Sequence, residues 1–344
     1  MAGLDCENVS PCQDGCLSCP MARQKRPSSK GFKTGRPKPQ TISNPWSIGD
    51  PWSGGESDRL IHGLRQVSYK ERREFLASQT YPRYLYKFKS IPDIDLAHLE
   101  DILIHSRLYL SSPRQFNDPF DMAADIVATG TLDDLHAKID RSAAVPSVDK
   151  ERMRIEATEI VKSQGIQGYL ERHQTPMHFR KLLDSSGVIS FSSSRAKEKG
   201  SGPRNILMWS HYGDSHRGLC FQFEIAREPL LLRELVRVKY QPRYPEVNWL
   251  SPLFGDQLEG ALCHKAPCWS YEHEWRFVLR ECANTYLPFR PQALSAIILG
   301  CEISARKEQI VRRLIDKRLN KGLPAPRIFR ASRSQSEYAI RITR

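Results

Sequence analysis

The 344-residue sequence predicts an α+β fold, with a mixed or antiparallel sheet, flanking helices and a helical insertion at about residues 131–185. Two patterns support this prediction. Predicted strands come in runs that single helices interrupt, and a highly charged helical block separates the first strands from the later ones. The regular alternation of strands and helices that Rossmann folds and α/β barrels need is absent, which argues against those folds.

Ordered structure is predicted from Ser68 onward. "SYKERREFLASQ" is typical of a short helix that Ser68 caps. "RYLYKFKSI" places Tyr84, Tyr86 and Phe88 at alternate positions, which is the period of a strand. "DLAHLEDILIHSR" carries an apolar helical stripe, and "LYLSSP" predicts a second strand that ends at Pro113.

The later part of the chain supplies most of the predicted sheet. "ILMWSHYG" predicts a helix that Gly213 ends, and Ser304 is expected to cap an amphipathic helix over 304–319. Gly218 begins a strand and is expected to allow another backbone to approach closely. Apolar or alternating runs predict strands over residues 187–194, 217–224, 234–240, 274–280, 294–300, 327–332 and 338–343.

Residues 61–344 are predicted to form a single domain, and residues 1–60 a disordered tail. The tail is rich in Pro, Gly, Ser and cations, so it cannot bury enough apolar surface to become ordered. No apolar run reaches the roughly 18 residues of a membrane helix, and the N-terminus lacks a secretory signal. We therefore expect a cytoplasmic protein without a membrane partner.

The net charge of +13 is unevenly distributed. Residues 303–344 carry twelve Lys or Arg and three acids, and residues 23–38 carry seven cations and no acid. A basic surface favours phosphate groups, in a nucleotide or in a nucleic acid. In the alternative interpretation, the excess of cations only keeps the protein soluble.

Four of the nine cysteines lie in the first nineteen residues. In a cytoplasmic protein they are thiols or metal ligands rather than disulfides. One pair has the two-residue gap of half a zinc site, but no second such pair lies nearby. A zinc ion in the tail would be held by Cys6, Cys12, Cys16 and Cys19; otherwise these residues are incidental thiols.

"SSPRQFNDPFD" contains Asn117, Asp118 and Asp121 around a proline, which predicts a rigid turn. The simplest interpretation is a structural turn in which an aspartate caps a helix. These carboxylates are also candidates for a divalent metal site, together with His211 and His216. That site would belong to a nuclease or a nucleic-acid-binding protein that uses the basic C-terminal face.

"NILMWSHYGDSHRGLCFQFE" (residues 205–224) gathers polar and aromatic residues just before an apolar strand. We expect Trp209 to pack inward, while His211 and Tyr212 face a ligand. The two histidines are five residues apart with Gly213 between them, so their joint ligation of a metal is only weakly indicated.

"YEHEWRF" contains two carboxylates two positions apart, Glu272 and Glu274. In an extended segment they share one face, where a cation or a substrate hydroxyl must separate them. Such a pair suits chemistry at a sugar, in which a carboxylate stabilises an oxocarbenium-like centre. Alternatively, Glu274 pairs with Arg276 along the strand.

Taken together, these motifs resemble a bacterial family known as the domain-of-unknown-function 2971 family. The resemblance runs from about Leu85 to the final strand and leaves out residues 1–60. It is carried, in this order, by "LYKF" (85–88), "RLYLSSPRQFNDPFD" (107–121), "MWSHYGDSHRGLCFQF" (208–223) and "YEHEWRF" (271–277). The family name implies no mechanism.

The chain is also remotely similar to ADP-ribosyltransferases, which implies a split α+β core that binds NAD. That superfamily places a cation or aromatic residue on a first strand, hydroxyls on a later strand, and then a glutamate. Here the hydroxyl element is "SFSSS" and the acidic element is Glu-His-Glu. The chain departs from the pattern because "LYKF" has no arginine and a long helical block precedes the serines. The resemblance implies catalytic residues Glu274 and Glu272, and cofactor-binding residues Tyr86, Lys87, Ser190 and Ser192. Cleavage of NAD also needs an aromatic face for the nicotinamide, which Tyr212 or His211 would supply, and cations for the pyrophosphate, which Arg217 or Arg276 would supply.

The leading hypothesis is an NAD-consuming ADP-ribosyltransferase or NAD glycohydrolase that acts as an intracellular effector or defence protein, with NAD as its substrate. No glycine-rich phosphate loop is present, which argues against Walker or Rossmann nucleotide binding. Expected partners are a small nucleotide and a macromolecular or nucleic-acid acceptor. The alternatives are the metal-dependent nuclease and a non-enzymatic sensor that binds a nucleotide.

Overall fold

The structure is a computed structural model that describes residues 68–78, 81–142, 146–173, 176–195, 198, 200–229 and 235–344. All of these residues belong to one compact unit, Pro39–Arg344. The predictions of a disordered tail over 1–60 and of zinc binding by its four cysteines lie outside the described residues.

The strands in chain order are β1 (Tyr84–Lys89), β2 (Arg107–Leu110), β3 (Asp125–Val127), β4 (Gly187–Ser193), β5 (Leu219–Glu224), β6 (Leu235–Arg237), β7 (Lys239–Tyr240), β8 (Glu246–Asn248), β9 (His264–Lys265), β10 (Glu274–Leu279), β11 (Thr285–Pro288), β12 (Leu294–Leu299), β13 (Arg327–Arg333) and β14 (Ile340–Thr343).

The α-helices are α1 (Tyr69–Ser78), α2 (Ala97–Leu103), α3 (Leu132–Arg141), α4 (Ser147–His173), α5 (Pro176–Asp184), α6 (Ile206–Tyr212), α7 (Phe254–Ala261) and α8 (Ala305–Asn320). Two helical segments of α4 meet at Gly165, whose φ of 74° is open to glycine but costly for other residues. Within the described residues, no helix has both the length and the apolar character that crossing a bilayer requires.

Eight strands form one mixed sheet in the order β14-β13-β12-β5-β1-β4-β10-β6. The β12–β13 pair is parallel, and the other neighbouring pairs are antiparallel. The helices α3, α4 and α5 lie between β3 and β4 in the sequence. The predicted α+β fold, with its mixed sheet and its helical insertion, is confirmed.

The sheet opens between β1 and β4. β1 pairs with β5 along its whole length, from Tyr84 to Lys89, but with β4 only at Leu85 and Tyr86. Beyond Tyr86 a side chain takes the place of the backbone ladder, because the Lys87 amino group donates to the Ser190 carbonyl at 3.0 Å. The resulting gap gives the ligand-sized opening described below.

Alternation along the strands separates two apolar layers. On one face Phe221 and Ile297 pack with α2 and α8, and on the other Cys220 and Ile298 pack with Trp209 of α6. The helices α3 and α4 bury their apolar stripes in a separate cluster around Trp249. The insertion therefore has its own apolar core, and none of the residues in this core lines the opening between β1 and β4.

Two local predictions concern the joint between α6 and β5. Gly213 follows the last residue of α6, where its N–H donates to the Trp209 carbonyl at 3.1 Å. A Cβ atom on Gly218 would lie 2.3 Å from the Lys89 carbonyl oxygen, so only glycine fits there. Both predictions are confirmed. The predicted cap of α8 is present too, since the Ser304 hydroxyl accepts from the Lys307 N–H at 3.3 Å.

Candidate functional site

Three of the motifs, "LYKF", "SFSSS" and "YEHEWRF", lie at the neighbouring strands β1, β4 and β10. Tyr86 lies directly opposite Ser192, and Ser192 lies directly opposite Glu274. Residues opposite each other in antiparallel strands project from the same face of the sheet. Strand pairing therefore arranges an aromatic ring, a hydroxyl and a carboxylate in one row, although they are far apart in the sequence.

A cavity of about 510 Å³ lies over this row, beside the gap between β1 and β4. Its volume is within the usual range for small-molecule sites. Eight of the ten residues predicted to be catalytic or cofactor-binding line it: Tyr86, Lys87, Ser190, Ser192, His211, Tyr212, Glu272 and Glu274. Arg217 and Arg276 are not among its lining residues.

Helix α6 forms one wall of the cavity. The Asn205 side chain caps the helix by accepting from the Met208 N–H at 3.1 Å, and its amide donates to the Tyr271 carbonyl at 3.1 Å. Trp209 is fully buried, and its indole N–H donates to the Pro203 carbonyl at 2.8 Å. The inward packing of Trp209 is thus confirmed, and it leaves Tyr212, on the next turn, to face the cavity.

Glu272 and Glu274 do not lie on one extended segment, as the sequence suggested. Glu272 ends a 3-10 turn, and His273 has a left-handed backbone conformation with a φ of 45°, so β10 begins only at Glu274. The Ser192 hydroxyl holds this turn by donating to the Glu272 carbonyl at 2.6 Å. The two carboxylates still meet, because the turn brings both of them to a shared cation.

That shared cation is Lys265, a buried residue that the sequence did not single out. Its amino group lies 2.7 Å from Glu272 Oε2, 3.3 Å from Glu274 Oε2 and 3.6 Å from Asp121 Oδ2. The Tyr212 hydroxyl donates to the other oxygen of Glu272 at 2.6 Å. Tyr212 is therefore linked directly to the carboxylate cluster.

Arg276 lies beneath the cavity with no exposed surface. Its guanidinium binds Glu274 Oε1 at 2.7 Å and Asp121 at 2.7 and 2.9 Å, and it also donates to the Leu262 carbonyl. The pairing of Glu274 with Arg276, which the sequence left as an alternative, is therefore present. The expectation that Arg276 holds a pyrophosphate is wrong, because its donors are occupied and inaccessible.

Arg217 also departs from its predicted role. Its side chain is exposed and lies 3.2 Å from Asp214, which binds Lys307 at 2.7 Å. Asp214 lines the cavity, whereas Arg217 does not. The prediction that Arg217 lines the cofactor site is therefore wrong, because its ion-pair partner Asp214, and not Arg217, lines the cavity.

The environments of the two glutamates push their pKa values apart. Burial and the charge of Glu274 raise the pKa of Glu272 to about 7, although Lys265 opposes the shift. Burial also disfavours ionised Glu274, but Arg276 and Lys265 outweigh burial and hold its pKa at about 2. With Asp121, three carboxylates face two cations, so the cluster carries one net negative charge when Glu272 is ionised.

Two lysines of β1 line the other side of the opening, across β4 from the carboxylates. Lys87 and Lys89 are two residues apart on one strand. Burial, and then the charge of Lys89, lower the pKa of Lys87 to about 7. Burial also lowers the pKa of Lys89. The cavity therefore has a basic side and an acidic side.

The residues proposed for a divalent metal do not form a site. Asp121 is bound to Arg276 and Lys265, while Asp118 accepts from the Phe120 N–H at 2.9 Å in a local turn. The His216 ring stacks on Trp209, with centroids 6.4 Å apart. Over the described part of the chain, no three His, Cys, Asp or Glu side chains are grouped as metal ligands. The predicted turn at Asp118 is confirmed, but the predicted helix cap is wrong, because the next element after the turn is the strand β3.

The basic C-terminal segment does not present its twelve cations as one patch. Arg318 is fully buried and donates to the carbonyls of Leu103, Pro291 and Pro324. Six others are paired with carboxylates: Arg306, Lys307, Arg312, Lys317, Arg330 and Arg333. Much of the positive charge seen in the sequence is therefore balanced locally.

Sequence reasoning missed three residues of the site, Lys265, Lys89 and Tyr240. Tyr240 contacts the row through its hydroxyl, which accepts from the Glu274 N–H at 2.9 Å. Lys265 lies in "CHKAPCW", which carries no recognisable motif. Lys89 could have been found, because it follows Lys87 at the spacing that places two strand residues on one face.

Comparisons with protein-family models, with curated proteins and with solved structures find no match to this chain.

Proposed function

We propose that the protein splits the nicotinamide–ribose bond of NAD and transfers the ADP-ribose to water or to an acceptor. The observation that carries this proposal is the row Tyr86–Ser192–Glu274 across three neighbouring strands, over a cavity with charged sides. The remote similarity to ADP-ribosyltransferases implies an aromatic residue, a hydroxyl and a glutamate in this order. Tyr86, Ser192 and Glu274 lie directly opposite one another on neighbouring strands in the same order, which supports the proposal.

The charge of the site suits a substrate that becomes more positive during the reaction. Nicotinamide in NAD is a cation, and cleavage of its bond to ribose develops positive charge on the sugar. The carboxylate cluster around Glu274 carries one net negative charge with Glu272 ionised. A fixed negative charge beside the ribose would stabilise the transition state more than the ground state.

The separated pKa values assign different roles to the two carboxylates. Glu274, with a pKa of about 2, stays ionised and supplies the negative charge. Glu272, with a pKa of about 7, can take a proton from the attacking water or acceptor hydroxyl at neutral pH. Tyr212 orients this carboxylate through its 2.6 Å hydrogen bond.

The other groups of NAD find complementary chemistry in the cavity. Tyr212 and the exposed ring of His211 offer aromatic surface to the nicotinamide ring. Lys89, which lines the cavity beside Lys87, supplies positive charge to the pyrophosphate and replaces the predicted role of Arg276. Ser190 and Ser192 lie between the two sides of the cavity.

Incubation of the full-length protein with NAD, followed by an assay for free nicotinamide, tests the proposal. Glu272→Gln should reduce nicotinamide release by about 100-fold or more, because it removes the proton acceptor. Glu100→Gln is the matched control, since Glu100 pairs with Lys317 on α8 and does not line the cavity. The control should release nicotinamide at the rate of the unmodified protein.

Two results would contradict the proposal. The first is the absence of nicotinamide release from a folded protein that binds NAD, which would favour the nucleotide sensor. The second is chelator-sensitive cleavage of DNA or RNA that Glu272→Gln leaves unchanged, which would favour the nuclease.

A further inference from the structure

Lys87 lies where the sheet opens, and its surroundings are unusual for a lysine. Its amino group donates to the Ser190 carbonyl at 3.0 Å and lies 5.5 Å from the centroid of the Phe191 ring. The side chain also lines the 510 Å³ cavity. A ligand in the cavity can therefore reach a lysine that is largely shielded from bulk water.

Lys265, which lines the same cavity, has very different surroundings. Lys265 lies within 3.6 Å of three carboxylates, and these partners raise its pKa. Among the described residues, no carboxylate lies within ion-pair distance of Lys87. Burial and the cation Lys89 on the same strand lower the pKa of Lys87, and they outweigh the charge of Glu274 on β10, which raises it. Lys265 is held in its charged form, whereas Lys87 has no such partner.

We propose that Lys87 is a covalent nucleophile that forms an imine with an aldehyde that carries a phosphate group. A lysine that is desolvated and lies beside another cation is the known arrangement for imine chemistry. Lys89 lines the same cavity and supplies the charge that would bind the phosphate. The low pKa of Lys87, about 7, leaves a large fraction of its amine uncharged at neutral pH.

The reaction balances with the loss of one water molecule. The amine nitrogen of Lys87 attacks the carbonyl carbon, and the electrons of the broken C–O π bond go to oxygen, which takes up a proton. The nitrogen loses one proton, and the hydroxyl receives another and leaves as water while the nitrogen lone pair forms the C=N bond, so the product is a protonated imine. Glu272 lines the same cavity and, with a pKa of about 7, can supply that proton.

This activity goes beyond the proposed cleavage of NAD and does not rest on it. The test uses the full-length protein with pyridoxal 5′-phosphate, an aldehyde with a phosphate group, at pH 7. Borohydride then reduces any imine to a stable secondary amine, and mass spectrometry of peptides locates it. Lys317, which is exposed and pairs only with Glu100 among the described residues, serves as the internal reference.

Lys87 should be labelled about 100-fold faster than Lys317 at pH 7, because the amine of Lys87 is desolvated and a large fraction of it is uncharged there. The rate at Lys87 should level off above about pH 8, once its amine is fully uncharged. Lys87→Arg keeps a cation of similar length and should abolish the fast labelling. Mapping in the unmodified protein is decisive even if this variant folds poorly.

Labelling of Lys87 at the rate of Lys317, or preferential labelling of Lys265, would overturn the inference. Nicotinamide release is measured separately, so a negative labelling result leaves the proposed cleavage of NAD untouched. Conversely, fast labelling of Lys87 in a protein that does not cleave NAD would support this inference alone.

Discussion

Replacement of the buried Arg276 by methionine should strongly destabilise the protein. The guanidinium has no exposed surface and makes two bonds to Asp121, at 2.7 and 2.9 Å, and bonds to Glu274 at 2.7 and 3.0 Å. Methionine fills much of the volume but leaves both carboxylates without their main partner. Breaking a buried ion pair in this way costs about 3–5 kcal/mol.

Urea unfolding and thermal unfolding, each measured at pH 7, would give this loss. For a domain of this size, 1 kcal/mol corresponds to a shift in Tm of about 2–4 °C, so Arg276→Met should lower Tm by about 10 °C. The matched control is Arg312→Met on α8. Arg312 is exposed and pairs with Glu308 four residues earlier, so its loss should cost less than about 1 kcal/mol.

The stability lost in Arg276→Met should depend on pH, because it depends on the charge of Glu274. In the unmodified protein the pKa of Glu274, about 2, lies below the value near 4.3 of an unfolded chain. Its contribution to stability is therefore present above about pH 4.3 and is lost as the pH falls toward 2. Without Arg276 the carboxylate of Glu274 binds a proton more readily, so the destabilisation should shrink between pH 7 and pH 4.

A second substitution separates charge from packing. Asp121→Asn in the Arg276→Met background should recover part of the lost stability, because one of the two stranded carboxylates no longer carries charge. A loss below about 1 kcal/mol for Arg276→Met, with no change between pH 7 and pH 4, would refute the reasoning. It would also reopen the possibility that Arg276 is free to bind a ligand.

Three further predictions concern the site. Trp209→Ala should lower the free energy of unfolding by about 3–5 kcal/mol in urea titrations, since the ring is fully buried; a loss below about 1 kcal/mol would contradict its core position. Tyr212→Phe should cost about 1–2 kcal/mol, because Glu272 loses a 2.6 Å hydrogen bond, and unchanged stability would show that water replaces the hydroxyl. The kcat/KM for NAD should rise with pH through about 7 as Glu272 loses its proton, and a profile that is flat between pH 5 and 9 would remove Glu272 as the base.

The sequence predicted those residues of the candidate site that stand out within a short segment. Glu272 and Glu274 were chosen for their spacing, and Tyr212 for its place in an aromatic helix; all three line the cavity. Arg276 was predicted to bind pyrophosphate because a cation near a glutamate pair looks available in a sequence. Its burial depends on Asp121, which is 155 residues away.

The sequence by itself determined the α+β class, the helical insertion, the cap at Ser304 and the burial of Trp209. These features follow from the periodicity and chemistry of short segments, which set the faces of a strand or helix whatever lies opposite.

Only the tertiary structure decided that β1, β4 and β10 are neighbours and that Tyr86, Ser192 and Glu274 share one row. Strand pairing is selected by contacts summed over the whole chain, so a local pattern does not encode it. The same holds for the charges of the site. Lys87 and Lys265 are both ordinary lysines in the sequence, and they differ only because folding surrounds one with carboxylates and leaves the other beside a second cation.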